Sequence, residues 1–388
     1  MEPAAPPGPR PAPAPPQTVM DRVLAMRDRL LERQSFQRWV ARFPLTRGFA
    51  RRKERALFDI IAGFVHTQVL TAALRLGLFA AVRDGPLTTR ELAERLGLAP
   101  AAAERLLRAA ASLDLLSRRP GGRYGLGDLG AAVAATPAFA AVIEHNAIFY
   151  GDIADPVRLL KGDVAGTRLS AFWAYAHSRD PAALAPEDVA AYSAFMAASQ
   201  ELISGDILDA YPLAAHRTLI DVGGGDGTFV AAAAERAPHL SLVLFDLPAV
   251  VARARARFAT MPEQRRPRTV GGSFLDDRLP EGADIATLIR VLLDHDDSTA
   301  LQILRAVHRA LEPGGTLLVA ETLEGTPAAD AYFGFYLMAM GRGRARTFAE
   351  LRQLIEVAGF ERVRRIPTWR ATVTGLMAAR KPAGVCNR

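Results

Sequence analysis

The chain has 388 residues, half of them hydrophobic and 23% charged, which is too long for one ordinary core and long enough for two. The chain has one cysteine, Cys386, near the carboxyl end. Because a second cysteine is absent from the sequence, a disulfide framework and a cysteine metal site are excluded. We therefore expect two domains in a cytoplasmic protein.

The amino-terminal end has two compositional segments. Residues 1–20 are rich in proline and alanine and lack the apolar core of a signal peptide, so we expect a disordered tail. Residues 21–55 hold eleven Arg or Lys against four Asp or Glu, and the rest of the chain sums to zero. Such a basic, partly amphipathic segment is typical of peripheral contact with an anionic membrane, of nucleic-acid binding, or of a solvated helix pair packed on a partner subunit. No uncharged stretch is long enough for a transmembrane helix, since residues 60–74 and 129–143 are short.

The next region predicts a winged helix. Residues 56–82 are apolar on nearly all sides, which indicates a helix buried in a core or an interface. After it come a helix capped by Thr88, a turn, a second helix and a hairpin containing glycine. A DNA-binding regulator would need a basic second helix, but this one offers only Arg105 and Arg108. We therefore expect no nucleic-acid partner.

From residue 217 short apolar strands alternate with helices, which predicts a parallel sheet covered on both faces. The predicted strands are TLIDV, LSLVLFD, RTVGG, ADIATLIRVL, GGTLLVAE and a last one near VTGLMAAR. Between the winged helix and this sheet, residues 139–210 read as helices with interleaved aromatic residues. We expect that segment to bridge the two halves.

A glycine-rich turn at residues 223–227 follows the first strand and precedes a helix, and glycines there let a ligand approach the backbone. A nicotinamide-binding turn needs G-x-G-x-x-G, but Thr228 takes the place of the last glycine. The resulting G-x-G-x-G spacing favours S-adenosylmethionine. Asp246 ends the second strand, where a carboxylate can accept both ribose hydroxyl protons. The alternative is a tight turn beside an ordinary surface aspartate.

Over almost its whole length the chain resembles the O-methyltransferases that include the caffeate and acetylserotonin enzymes. The matching passages, besides the winged helix, are LIDVGGGDGTF, LFDLPAVV, GGSFLDDRLPEGADIATLIRVLLDHDD and LEPGGTLLVAETL. Three further passages are most similar to bacterial enzymes that methylate a tertiary hydroxyl of an acyclic carotenoid. They are RFPLTRGFARRKERALFDIIAGFVHTQVL, IRVLLDHDD and DAYFGFYLMAMGRGRARTF.

This resemblance implies a carboxyl-terminal α/β Rossmann-like methyltransferase domain and an all-α, winged-helix dimerisation domain before it, working as a homodimer. The implied division is a tail at 1–20, the dimerisation domain at 21–138, a helical bridge with the acceptor pocket at 139–210 and the S-adenosylmethionine-binding domain at 211–382.

The resemblance also implies a donor site. Its residues are Asp221, Gly223, Gly225, Gly227, Asp246, Leu247, Ser273, Phe274 and Arg290. Ser273 and Phe274 are expected at the adenine, although relatives usually carry Asp where this chain has Ser273. Three consecutive polar residues at 294–296 rarely converge on one ion, so we expect no metal.

The catalytic positions depart from the family pattern. Relatives place a histidine base where this chain has Leu293, and an acidic partner where it has Ala345, whereas Glu321 is kept. Asp294, His295 and Glu321 are the nearest candidates to receive the acceptor's proton, because such folds keep their sites at strand carboxyl ends. For His295, a helix cap or adenine wall is the alternative, and Asp297 is expected to cap the following helix.

The acceptor is expected to be a hydrophobic small molecule. Its predicted contacts are Phe149, Met196, Phe333, Tyr336 and Met340, since aromatic and methionine side chains suit a long hydrocarbon; an ordinary core or interface helix is the alternative for the apolar run at 330–340. We thus expect methylation of a hydroxycarotenoid by a cytoplasmic enzyme that sits peripherally on the inner or photosynthetic membrane. The alternatives are a phenolic or polyketide acceptor and a winged-helix regulator that senses S-adenosylmethionine.

Overall fold

The computed structural model describes residues 18–384 apart from 165, 174, 176–177, 179–182, 327 and 370–374. Most of the predicted tail and Cys386 lie outside these described residues. The chain divides into two compact units with the boundary between Gly127 and Asp128.

The amino-terminal unit contains the predicted winged helix. Its helices are α1 (Val19–Glu32), α2 (Gln34–Arg42), α3 (Arg47–Arg75), α4 (Leu78–Ala81), α5 (Thr89–Leu96) and α6 (Pro100–Ser112), and its strands are β1 (Leu87–Thr88), β2 (Leu116–Arg119) and β3 (Arg123–Leu126). The strands form an antiparallel sheet in the order β1-β3-β2. Thr88 begins α5 through a reciprocal capping box with Glu91, as its spacing predicts.

Helix α3 exposes a long apolar face within this unit. The exposed side chains include Leu57, Phe58, Ile60, Ile61, Phe64 and Val65. The helix has 29 residues and is long and apolar enough to cross a membrane by length and composition, which differs from the expectation drawn from its uncharged part at residues 60–74. The bent pair Asp128–Ala135 and Pro137–Asp152 passes the same test only when counted together. A helix covered by a second subunit meets these criteria equally well.

The carboxyl-terminal unit is built on a seven-stranded sheet. Its strands are β4 (Thr218–Val222), β5 (Ser241–Asp246), β6 (Arg268–Gly271), β7 (Ala283–Ile289), β8 (Leu311–Glu321), β9 (Glu361–Ile366) and β10 (Gly375–Arg380). The order is β6-β5-β4-β7-β8-β10-β9, parallel except for β10 and β9. The predicted parallel sheet is confirmed. Strand β9 was not predicted, because its arginine-rich sequence lacks the apolar pattern of the other strands.

The described helices of this unit include those that cover the two faces of the sheet and those that form a separate aromatic cluster. They are α7 (Asp128–Ala135), α8 (Pro137–Asp152), α9 (Pro156–Leu160), α10 (Arg168–Phe172), α11 (Pro186–Ala210), α12 (Thr228–Arg236), α13 (Pro248–Ala259), α14 (Asp297–Ala310), α15 (Gly334–Met340) and α16 (Phe348–Val357), with a π-helical turn at Ala328–Phe333. Two aliphatic clusters fill the two faces of the sheet, and a third, rich in aromatic residues, packs α8, α10, α11 and α15 together.

The strand order locates the site. The chain passes from β4 outward to β5 and β6, then returns to place β7 on the other side of β4. In open parallel sheets a ligand crevice forms where the order reverses, at the carboxyl ends of the strands. The glycine turn after β4, Asp246 at the end of β5 and Arg290 after β7 all lie at that edge.

Candidate active site

The turn after β4 is shaped by glycines whose replacement would cause clashes. Gly223 has φ +73°, and a Cβ built on it would lie 2.7 Å from Cγ2 of Val291. Gly227 has φ +83°, and its Cβ would lie 2.3 Å from Cζ of Phe258. Gly223 and Gly225 line a cavity at the crevice, whereas Gly227 begins α12 beneath it. The turn therefore presents bare backbone to the cavity.

Asp246 faces this turn from the end of β5. Its Oδ2 accepts a hydrogen bond from the amide of Gly225 at 2.8 Å, and its Oδ1 accepts one from Leu247 at 2.7 Å. A carboxylate has about four acceptor positions, so two remain for a pair of hydroxyl groups. Burial raises the pKa of Asp246 to about 6. Asp246 and Leu247 both line the cavity, as the sequence predicts for a ribose site.

Asp221 has a supporting position. It is buried, and its Oδ1 accepts a 2.5 Å hydrogen bond from the hydroxyl of Thr287 on β7. A Cβ on Gly224 would lie 2.6 Å from its Oδ2. Burial raises the pKa of Asp221 to about 7. The sequence predicts Asp221 as a donor contact. In the structure it lies below the turn and is not among the residues that line the cavity.

The predicted adenine end of the cavity is walled by Ser273, Phe274 and His295. The His295 ring meets the Phe274 ring edge-on, with centroids 5.6 Å apart, and its Nδ1 lies 3.0 Å from a guanidinium nitrogen of Arg342. A guanidinium only donates, so Nδ1 accepts and the ring proton is on Nε2. Burial and the cation lower the pKa of His295 to about 4. This neutral ring suits the wall role better than proton transfer.

Asp294 is the carboxylate that faces the cavity on the β7 side. The phenol of Tyr175 donates a 2.5 Å hydrogen bond to its Oδ2. Burial raises the pKa of Asp294 to about 6, while Tyr175, Arg290 and Arg342 act in the opposite direction. Asp294 is therefore mostly ionised at neutral pH and can accept a proton there.

Arg290 ties the end of β7 to α11. Its φ is +59°, and it is one of three non-glycine residues with positive φ in the described part of the chain. This backbone conformation ends the strand. One guanidinium nitrogen donates to Oγ of Ser199 at 2.8 Å, and another lies 2.8 Å from Sδ of Met196. Both Arg290 and Met196 line the cavity, so this contact joins a predicted donor residue to a predicted acceptor residue.

Glu321 lies behind the loop that carries Asp294. Its Oε1 accepts the backbone amides of Val291 at 2.8 Å and Leu292 at 2.6 Å. Its Oε2 is buried without a partner among the described residues, and burial raises the pKa of Glu321 to about 8. It does not line the donor cavity. This placement indicates a positioning role and differs from the expectation that Glu321 takes the proton.

Arg346 holds the same loop from the other side, and the sequence reading did not single it out. It is 3% exposed and donates to the carbonyl oxygens of Leu292 and His295, each at 2.7 Å. It also donates to Oδ1 of Asp297 at 2.8 Å. A buried arginine with these partners fixes the path of the loop's main chain.

The cap of α14 is one residue earlier than predicted. Oδ1 of Asp296 accepts the amide of Thr299 at 2.8 Å, so Asp296 is the cap. The expectation for Asp297 was wrong because that residue instead pairs with Arg344 and Arg346.

The predicted acceptor residues gather in the aromatic cluster. Phe149, Tyr336 and Met340 are buried members of it, and Met196 and Phe333 pack against it. Of the five, Met196 lines the donor cavity. Leu293 and Ala345 are buried in the same cluster, so both of these positions are apolar.

Three aromatic residues that the sequence reading did not assign to the site complete the cavity wall, namely Trp173, Tyr175 and Tyr192. The indole of Trp173 donates to the hydroxyl of Tyr336 at 2.9 Å, and that hydroxyl lies 2.7 Å from Nε2 of His145. These buried polar atoms are thus satisfied within the apolar cluster. Among the described residues no group of His, Cys, Asp and Glu is arranged to hold a metal ion.

Comparison with known proteins identifies the family of the chain. An O-methyltransferase domain model matches residues 150–361, and an O-methyltransferase dimerisation domain model matches residues 58–136. The chain is 41% identical to demethylspheroidene O-methyltransferase of Cereibacter sphaeroides, covering 92% of this chain and 94% of that protein. It is 34% identical to acetylserotonin O-methyltransferase of Mus musculus, covering 84% and 88%.

Among solved structures, CalO1, a methyltransferase in calicheamicin biosynthesis, was determined in its S-adenosylhomocysteine-bound form. It superposes with a TM-score of 0.71 at 28% identity and covers 86% of this chain and 98% of its own. The matched O-methyltransferase domain and this neighbour identify S-adenosylmethionine as the methyl donor. The chain belongs to the S-adenosylmethionine-dependent O-methyltransferases.

Proposed function

We propose that this enzyme transfers the methyl group of S-adenosylmethionine to a tertiary hydroxyl of an acyclic hydroxycarotenoid. The observation that carries the proposal is the apolar character of the acceptor side, where Leu293 and Ala345 are buried among aromatic residues. The similar protein named demethylspheroidene O-methyltransferase supports the same class of acceptor. The same relative favours a carotenoid over a phenolic or polyketide acceptor. The matched O-methyltransferase domain favours an enzyme over a winged-helix regulator that senses S-adenosylmethionine.

The proposed chemistry needs positioning more than a strong base. A sulfonium methyl group is already activated, so an acceptor oxygen held in line with it can displace the sulfur. A tertiary aliphatic alcohol is too weak an acid to be ionised beforehand by a carboxylate or an imidazole. Its proton therefore leaves as the new bond forms or afterwards.

Asp294 is the proposed receiver of that proton. In the balanced step, the sulfur–carbon bond breaks, the oxygen–carbon bond forms, and the hydroxyl proton passes to the Asp294 carboxylate. The products are S-adenosylhomocysteine, the methyl ether and a neutral Asp294. Tyr175 orients this carboxylate, and Glu321 and Arg346 hold the loop that carries it.

The direct test is an assay with a 1-hydroxylated acyclic carotenoid in detergent, read by mass spectrometry of the methyl ether and by S-adenosylhomocysteine release. A matched assay with a simple phenol gives the comparison. We expect turnover on the carotenoid well above that on the phenol. The reverse preference would refute the proposed acceptor class while leaving the methyltransferase family intact.

Three features complete the proposal. The matched dimerisation domain and the exposed apolar face of α3 support a homodimer. A hydrocarbon acceptor dissolves in lipid, so we place the enzyme in the cytoplasm against the inner or photosynthetic membrane. The proposed domain division keeps the tail at 1–20, the dimerisation domain at 21–138, the bridge at 139–210 and the donor domain at 211–382.

A further inference from the structure

The amino-terminal helices carry a surface that the methyl transfer does not use. Residues 33–55 contain eight Arg or Lys and a single acidic residue, Glu54. All eight cations belong to exposed residues, and among the described part of the chain none of them forms an ion pair. We call residues 33–55 the cationic aromatic surface.

Aromatic and aliphatic side chains stand among these cations. Trp39 stacks on Phe36 and on Phe43, with ring centroids 6.0 Å and 5.1 Å away, yet it stays 53% exposed. Leu45 is 87% exposed, and Phe49 is exposed as well. Such groups cost free energy in water unless something apolar covers them.

A groove on this surface combines both kinds of group. It is lined by Arg38 and Arg42, one helical turn apart on α2, and by Trp39 and Phe43. Two guanidinium groups beside two aromatic rings can hold a phosphate while the rings enter an apolar layer. Phospholipid headgroups above acyl chains present that pair of environments.

Two other occupants fit less well. A second copy would bring two strongly cationic surfaces together, and the matched dimerisation domain begins only at residue 58. Duplex nucleic acid would neutralise the cations but would leave Leu45 and Phe49 in water. The charge together with the exposed apolar groups favours a lipid surface.

We propose that the cationic aromatic surface docks this enzyme on an anionic phospholipid bilayer. This inference rests on the proposed function in one respect, because a bilayer is where a long hydrocarbon acceptor is dissolved. Arg38 and Arg42 bind lipid phosphates, and Trp39, Phe43 and Leu45 enter the headgroup boundary. Docking brings the enzyme to its acceptor.

The test is sedimentation of the full-length protein with vesicles of phosphatidylcholine alone or mixed with phosphatidylglycerol. We expect binding to the mixed vesicles only, weakening as salt rises because the attraction is screened. The variant Arg38→Glu/Arg42→Glu should reduce binding about ten-fold or more, and Trp39→Ala should reduce it at unchanged charge. The matched control Arg118→Glu/Arg365→Glu changes net charge equally at exposed sites elsewhere and should bind as the parent does.

Size-exclusion chromatography of each variant shows whether the fold and the dimer persist. Equal binding to both vesicle types, an unchanged Arg38→Glu/Arg42→Glu variant, or conversion of that variant to a monomer would overturn the proposal. So would displacement from the vesicles by a stoichiometric amount of duplex DNA. Turnover in detergent tests the proposed function separately, because it needs no vesicle and should be unchanged in these variants.

Discussion

The phenol of Tyr175 donates a 2.5 Å hydrogen bond to the carboxylate of Asp294 across 119 residues of sequence. The bond stabilises the ionised form of Asp294, whose pKa burial raises to about 6. The proton acceptor proposed for the reaction is thus available above that pH and lost below it.

The turnover number should therefore rise with pH through about 6 and then level off. Asp294→Asn should remove this limb and slow turnover by about 10² to 10⁴-fold if the carboxylate receives the proton. Tyr175→Phe removes a bond that lowers the pKa of Asp294, so the limb should move to higher pH. Stopped assays of kcat across pH for the parent and both variants decide this. A limb that persists in Asp294→Asn would assign the titration to another group.

Donor binding should depend on Asp246. Asp246→Ala removes the acceptor of two ribose hydroxyl groups, and charge-assisted hydrogen bonds contribute about 1.5 to 3 kcal/mol each. Affinity for S-adenosylhomocysteine, measured by titration calorimetry, should fall about ten-fold or more. Asp209→Ala, which removes an exposed acid paired with Arg236, is the control and should bind normally. Unchanged affinity in Asp246→Ala would mean that the donor lies elsewhere.

Glu321→Gln should slow turnover by less than about 10²-fold, because Glu321 contacts backbone amides and not the cavity. A slowing beyond that range would return Glu321 to proton transfer.

The same substitution should change the pH dependence of stability. Burial raises the pKa of Glu321 from 4.5 to about 8, so between those values the folded state holds a proton that the unfolded state has released. This group's contribution to stability is therefore present below about 4.5 and is lost as pH rises towards 8. Glutamine does not titrate, so the free energy of unfolding of Glu321→Gln should not fall with pH for this reason. The variant should therefore gain stability relative to the parent as pH rises from about 4.5 towards 8. Urea unfolding at several pH values measures the difference, and parallel curves would contradict the buried protonated carboxyl.

Leu293→His tests whether the missing histidine base limits the reaction. Leu293 is buried among aromatic residues, where an imidazole would be poorly solvated and could not ionise a tertiary alcohol. Single-turnover rates on a 1-hydroxycarotenoid should stay the same or fall, whereas rates on a phenol that reaches the donor methyl should rise. A large gain on the carotenoid would show that deprotonation is limiting and that positioning alone is not the mechanism.

Removal of divalent metal should leave turnover unchanged, since the described residues offer no group of three or more metal ligands. Assays after dialysis against a chelator, with and without added magnesium, check this. Loss of activity restored by magnesium would require a metal site that these residues do not form on their own.

The donor side was predictable because its signals are local. A strand, a glycine turn and a helix occupy consecutive residues, and Asp246 ends the next strand, so topology alone brings Gly225 and Asp246 together. The acceptor side was harder, since Tyr175 and Asp294 meet through long-range packing that no spacing reveals. Arg346 was missed because an arginine in an arginine-rich loop looks like a solvated residue until its burial is known.

The main chain of the loop between β7 and α14 is held from two sides, in addition to the side-chain bonds of Asp294 and His295. Glu321 binds two of its amides and Arg346 two of its carbonyl groups, and none of these contacts involves the side chain of Leu293 or Ala345. We therefore expect that Leu293 and Ala345 can be replaced to change acceptor preference while the contacts of Glu321 and Arg346 with the loop persist. Saturation at 293 and 345 in one library, screened on alcohols and phenols, is a compact route to enzymes with redirected acceptor choice.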